Sequence, residues 1–206
     1  MILYAATGNA GKLREFSEAA QPRGIQVLPL PRLADLPEPV EDAETFMGNA
    51  EIKAVAYSLA APGLMVFADD SGLEVDALDG APGVRSARFA DDRGFDTGSH
   101  GRKDDRNNAL LMDLLSRLPF APRTARFVCA LALARDGEVL LRAVGKVEGE
   151  VLGAPRGRGG FGYDPLFLLP ELGLTMAELP REQKWGLSHR GNAFRGLLGE
   201  LRGGLI

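Results

Sequence analysis

The chain has 206 residues, a net charge of −4 and 45% hydrophobic residues, proportions of a folded protein with a sizeable core. The acidic balance argues against broad nucleic-acid binding through phosphate neutralisation, and no segment approaches the roughly 18 apolar residues of a membrane span. One cysteine, Cys129, leaves no disulfide framework or zinc cluster and fits a reducing compartment. The opening apolar run is short and lacks a basic leader, so a cytoplasmic location is expected.

Residues 2–6 predict a buried strand, Gly11 to Ala20 a helix with Leu13, Phe16 and Ala20 on one face, and Ile25 to Leu28 a second strand. Strand, helix, strand is a βαβ opening and predicts a mostly parallel sheet. Residues 29–43, with four prolines, predict a loop. Glu44 to Ala60 predict a helix with Phe46, Ala50, Ala54 and Tyr57 as its apolar stripe; Asn49 and Lys53, four apart, share a face. Met65 to Ala68 predict a strand ending in Asp69-Asp70-Ser71-Gly72, and Leu73 to Ala77 another. Residues 79–104 read as loop, and Arg106 to Leu118 as helix.

Ala125 to Ala134 and Glu138 to Val147 flank Asp136-Gly137, a hairpin signal. Residues 153–165 are glycine-rich, and Leu166 to Leu169 predict a strand. Thr175-x-x-Glu178 reads as a capping box for a short helix. Ser188 is placed to cap a last helix running to about Arg202, where Gly203-Gly204 would stop it. No linker stands out, so one α/β domain over residues 1–206 is expected.

Five stretches carry chemistry. TGNAGK, from Thr7 to Lys12, follows a strand and opens a helix, where backbone amides, a hydroxyl and a lysine suit an anion. It lacks the spacing and the final hydroxyl of a P-loop, and an ordinary strand-to-helix turn could look the same. Asp69 and Asp70 stand together at a predicted strand end, where oxygen ligands suit Mg²⁺ with substrate phosphates, or where a turn simply exposes its acids. Glu44 or Thr45 at the start of the helix bearing Lys53 could serve capping alone, or a carboxylate just outside that helix could complete the metal site while Lys53 meets a phosphate. In GRGGFGYDP the glycines allow a flat ligand close approach, Phe161 offers a stacking face and Asp164 an acceptor. Ser188-His189-Arg190 opens the last helix. His100 reads as a surface residue, Cys129 as core and Trp185 as packing.

Taken in order, TGNAGK, ETFMGNAEIKA, ADDSGLEVDALDGAPGVRSARF, GGFGYDPLF and SHRGNA resemble the inosine triphosphate pyrophosphatase family, from residue 7 to 193. The resemblance implies Mg²⁺-dependent hydrolysis of ITP, dITP and XTP to the monophosphate and pyrophosphate. It implies an elongated mixed β-sheet flanked by helices, with two lobes around a deep nucleotide-binding cleft, and a homodimer. Thr7, Gly8, Asn9, Ala10, Gly11, Lys12 and Lys53 would hold the triphosphate. Asp70 would be the catalytic acid or base and a metal ligand with Glu41 and Asp69, and Ser71 would touch substrate. Phe161, Gly162, Tyr163, Asp164, Lys184, His189 and Arg190 would hold nucleoside and base. Arg190 would donate to the carbonyl at ring position 6, which adenine lacks.

The sequence departs from the family in two places. Gly48 stands where relatives often carry an acid, in F-x-E-N-A, and residues 91–104 form a longer, more polar stretch. The family places its metal-binding acid at Glu41, with Glu44 a rival. Two other functions compete. A septum-inhibitor-like (Maf-type) pyrophosphatase would act on other modified nucleotides, but GGFGYDP and SHR argue against it. A nucleotide-binding module that has lost catalysis draws on Gly48, while both aspartates, Lys12 and Lys53 argue against it.

Overall fold

The computed structural model describes residues 1–95 and 102–201. His100 and the glycines expected to end the last helix lie outside those residues. In chain order the elements are β1 (Ile2–Ala5), α1 (Ala10–Ala20), β2 (Gln26–Pro29), α2 (Phe46–Ala60), β3 (Val66–Val75), α3 (Phe89–Asp92), α4 (Lys103–Ser116), β4 (Thr124–Arg135), β5 (Glu138–Val151), β6 (Phe167–Leu169), β7 (Leu174–Thr175), α5 (Arg181–Leu187) and α6 (His189–Glu200). The strands form one mixed sheet in the order β2-β1-β3-β4-β5-β6-β7, flanked by helices: an α/β fold. β1 pairs in parallel with β2 and with β3, as the βαβ opening predicts, but β6 is antiparallel to β5 and β7, so the sheet is mixed where a mostly parallel one was expected. No helix among the described residues is long and apolar enough to cross a membrane.

The chain divides into two compact units. The first holds Met1–Asp70, Cys129–Gly145 and His189–Ile206; the second holds Ser71–Val128 and Lys146–Ser188. In the first, Phe16 of α1, Phe67 of β3 and Phe194 of α6 form a ring cluster with centroids 4.8 to 5.6 Å apart. All three are buried, as is Cys129. Gly145 of β5 lies so close to the backbone of His189 and Ala193 that no Cβ would fit, which lets α6 settle onto the strand. Asp136 and Gly137 both have positive φ, 52° and 85°, the geometry that a two-residue hairpin turn favours. The turn is tied to α2 and the segment after it: Asp136 Oδ1 accepts from the Gly63 amide at 2.6 Å, and the Gly137 amide donates to Ser58 Oγ at 3.0 Å.

The second unit has its own core, including Leu73 and Val75 of β3, Leu111 and Leu115 of α4, Phe127 of β4 and Phe167 of β6. Several expectations change here. The Asp-Asp-Ser-Gly stretch does not end a strand; β3 runs through it without a break. Gly72 fits within it because Ser86 Oγ and Gly83 O crowd its Cβ position. The stretch read as loop from 79 contains a 3-10 helix, Gly83–Arg88, and then α3. Helix α4 starts three residues earlier than expected.

Thr175 and Glu178 make one bond of a capping box, the Thr175 amide to Glu178 Oε2 at 2.7 Å, yet a turn follows rather than a helix. The Thr175 hydroxyl donates instead to Arg156 O at 3.0 Å, so it caps nothing. A helix the sequence reading missed, α5, intervenes, and Ser188 serves as its C-cap directly before α6.

Candidate functional site

The TGNAGK turn is a capped helix start. Asn9 Oδ1 accepts from the amides of Gly11 at 2.9 Å and Lys12 at 3.1 Å, and Thr7 Oγ1 accepts from the Asn9 amide at 3.2 Å. These side chains satisfy some of the donors a helix N-terminus leaves open, while the positive end of the helix dipole remains. Thr7, Gly8, Ala10 and Lys12 line a cavity of about 710 Å³ together with Glu41, Lys53 and Asp69.

Lys12 Nζ lies 2.7 Å from Asp69 Oδ2, with the carboxylate side chain 5% exposed. Arg190 Nε stands 3.9 Å from the same oxygen, and Arg190 Nη1 lies 3.5 Å from Glu15 Oε2. Burial would raise the Asp69 pKa, but Lys12 and Arg190 together outweigh it and hold the carboxyl at about 2.

The neighbouring carboxylate has other partners. Asn49 of α2 is buried and bridges two groups: its Nδ2 donates to Asp70 Oδ2 at 3.0 Å, and its Oδ1 accepts from the Ala43 amide at 3.0 Å. Lys53, one turn further along α2, places Nζ 2.9 Å from Glu41 Oε2 and 3.8 Å from Asp70 Oδ1. Burial raises the Asp70 pKa; Lys53 and Asn49 oppose the rise, while Glu41 and Asp69 add to it. Glu44 is exposed, and Thr45 caps α2 by accepting from the Gly48 amide at 3.0 Å.

In the second unit Phe161, Gly162, Tyr163, Asp164 and Lys184 come together. Asp164 is buried, and its Oδ2 accepts from the Phe161 amide at 2.8 Å and from Lys184 Nζ at 2.5 Å. Lys184 Nζ sits 5.6 Å from the centroid of the Phe161 ring, which is half exposed. Gly160, at φ +76°, leaves no room for a Cβ against Asp164 and Lys184. The Tyr163 hydroxyl donates to Ser86 O at 2.9 Å, and burial pushes its pKa well up. Ser71 follows Asp70 on β3 and is part-buried.

The expected base group is therefore divided between the units. His189 and Arg190 belong to the first, where Arg190 meets Asp69 and Glu15. The sequence reading paired Asn49 with Lys53 by spacing but gave Asn49 no role. It missed Ser86, Asp104 and Asn108 altogether. Asp104 and Asn108 stand four residues apart on one helix, which was the available signal.

The model of the Ham1 family matches residues 3–200. A dITP/XTP pyrophosphatase of Acidobacterium capsulatum is 54% identical over 203 residues, 98% of this chain and 99% of that protein. A dITP/XTP pyrophosphatase of Thermus thermophilus is 48% identical over 96% of this chain and 90% of that protein. The solved structure of a HAM1 protein from Coxiella burnetii superposes with a TM-score of 0.86 at 34% identity, covering 99% of this chain and 100% of that one. That of the Staphylococcus aureus Ham1 protein superposes with a TM-score of 0.83 at 36% identity, covering 98% and 99%.

Proposed function

The chain belongs to the Ham1 family, and from that premise we propose that it hydrolyses deaminated purine nucleoside triphosphates, ITP, dITP and XTP, to the monophosphate and pyrophosphate with Mg²⁺. The observation that carries the mechanism is the position of Lys53 between Glu41 and Asp70. One ammonium within reach of both carboxylates supports a shared position for a cation between them. No group of three or more metal-ligating side chains occurs among the described residues. Mg²⁺ does not require one, since one or two carboxylates with substrate phosphates suffice. The oxygen-only pair Glu41 and Asp70 therefore fits the ion, and Glu41 is preferred to Glu44. Asp69 is better explained as the counter-ion of Lys12 and Arg190. Bound by that pair, the ion would supply positive charge at the phosphates and make a water more acidic.

The chain's own groups do the rest. Asn49 fixes the Asp70 carboxylate, which takes the proton from the attacking water. The water oxygen bonds to the α-phosphorus, the bond to the bridging oxygen breaks, and pyrophosphate leaves with that electron pair. Lys12, Lys53 and the N-terminal end of α1, with Thr7 to Gly11, stabilise the leaving charge. This is why half a phosphate loop suffices: the β- and γ-phosphates depart together and need no wrapping. Phe161 stacks the base, and Asp164 holds Lys184 beside the ring. Ser71, Gly162, Tyr163, His189 and Arg190 complete the proposed nucleotide contacts. A cytoplasmic homodimer is part of the same reading, and light scattering checks the dimer.

Pyrophosphate release from ITP, XTP, GTP, ATP and dUTP, with and without Mg²⁺, tests the proposal in wild type and Asp70→Asn. The expected result is Mg²⁺-dependent release favouring ITP and XTP and lost on substitution. Release from none of the five would overturn it in favour of a binding module.

A further inference from the structure

The base platform has an unusual support. Phe161 is 52% exposed, and Lys184 Nζ sits 5.6 Å from its ring centroid. Gly162, next in the chain, has φ +58°, a backbone conformation that side-chain-bearing residues rarely adopt. Its backbone is held by hydrogen bonds from one helix. Asp104 Oδ2 accepts from the Gly162 amide at 2.7 Å, and Asn108 Nδ2 donates to the Gly162 carbonyl at 2.9 Å. We propose that Asp104 and Asn108 are positioning residues: one helical turn apart on α4, they grip both backbone polar groups of Gly162 and so set the Phe161 ring for the base. The inference rests on reading Phe161 as the base platform.

Helix α4 is suited to the task because it is itself anchored. Leu111 and Leu115 are fully buried. Asn107, also buried, accepts from the Ala90 amide at 2.9 Å and donates to Ser86 O at 3.2 Å. Ser86 O also receives the Tyr163 hydroxyl, and Ser86 Oγ accepts from the Leu73 amide at 2.9 Å. The turn is thus tied through α4 and Ser86 to the strand that continues from the aspartate pair. Asn108 Oδ1 is buried with no hydrogen-bond partner among the described residues. A buried acceptor left open is unfavourable, so the amide at this place is explained by its donor bond to Gly162. The Asp104 bond is charge-assisted and correspondingly strong.

The test compares Asp104→Ala, Asp104→Asn and Asn108→Leu with wild type. The readouts are kcat and KM for ITP with Mg²⁺, inhibition by inorganic tripolyphosphate, which has no base, and the thermal midpoint. Asp104→Ala and Asn108→Leu should each raise KM for ITP about tenfold. The kcat should stay within about threefold, because the turn binds the base and does not touch the reacting phosphorus. Asp104→Asn still offers an oxygen to the Gly162 amide and should restore most of the affinity. Tripolyphosphate inhibition should not change. If Asp104→Ala does not fold, the near-isosteric Asn108→Leu carries the test. An active wild type whose KM is unmoved by Asn108→Leu overturns the positioning role. So does an equal weakening of tripolyphosphate, which would mean general damage. A wild type inactive on every nucleotide overturns the proposed reaction itself and this inference with it.

Discussion

Replacing Asp69 with Asn keeps the shape of the side chain and removes its charge. The Asp69 carboxyl is held at about 2 against an ordinary 3.8. Converted at 1.36 kcal/mol per unit, that depression corresponds to about 2 kcal/mol of stability at neutral pH. The side chain is 5% exposed, so solvent screening takes little from the figure. The substitution also leaves Lys12 and Arg190 without their shared carboxylate, and breaking a buried pair from one side costs about 3–5 kcal/mol. Glu15 still faces Arg190, so the expected loss lies between these values, about 2–4 kcal/mol. Urea denaturation of both proteins at pH 7 measures it.

The pH dependence separates this cause from a packing defect. The folded carboxyl titrates below the unfolded one, so the stabilisation is complete above about pH 4. It disappears as pH falls through about 2, where both states are protonated. The gap between wild type and Asp69→Asn should therefore narrow steadily from pH 4 toward pH 2. A gap under about 0.5 kcal/mol at pH 7, within the range of an ordinary surface change, would refute the assignment of Asp69 to the cations. So would a gap that stays constant down to pH 2.

Arg190→Ala should cost ITP turnover far more than ATP turnover if its guanidinium reads the carbonyl at ring position 6. An equal loss on both substrates would reduce Arg190 to a partner of Asp69 and Glu15. Gly48→Ala should lower the thermal midpoint even though alanine gains roughly 1 kcal/mol of helix propensity, because the new Cβ would lie 2.6 Å from Ala43 Cβ. Adding Ala43→Gly should recover the loss, and a higher midpoint for Gly48→Ala alone would contradict the clash. Cys129 is fully buried, and burial pushes its thiol up to about 12. It should resist a thiol reagent at pH 8 in the folded protein and react at once in denaturant; rapid native labelling would contradict its place in the core.

The parts of the fold legible in the sequence were those with a strong local period. The βαβ opening and the Asp136-Gly137 hairpin are set by patterns a few residues long, and both stand as expected. The aspartate stretch was misread because Asp, Ser and Gly favour turns on their own. Here β3 carries them onward because Lys12, Arg190, Lys53 and Asn49 compensate the acids, and those partners come from distant parts of the chain. The Thr175 box failed for the same kind of reason, since its hydroxyl found a carbonyl 19 residues away at Arg156. Many of the candidate site residues were nameable from motifs, but the partners of the two aspartates depend on which strand face each one occupies.

That dependence follows from one property of β3. Adjacent residues on a strand point to opposite faces, so two consecutive aspartates meet different nearest partners. Phe67 and Asp69, two apart, share a face. Phe67 meets the rings of α1 and α6, and Asp69 meets Lys12 of α1 and Arg190 of α6. Asp70 turns the other way, toward Asn49 and Lys53 of α2. One carboxylate is thereby held ionised at about 2 by cations, while its neighbour is raised by burial. The base in the proposed reaction needs proton affinity that Asp69 has lost, which is why that proposal gives the task to Asp70. The alternation of a single strand is enough to give two identical side chains two different sets of partners.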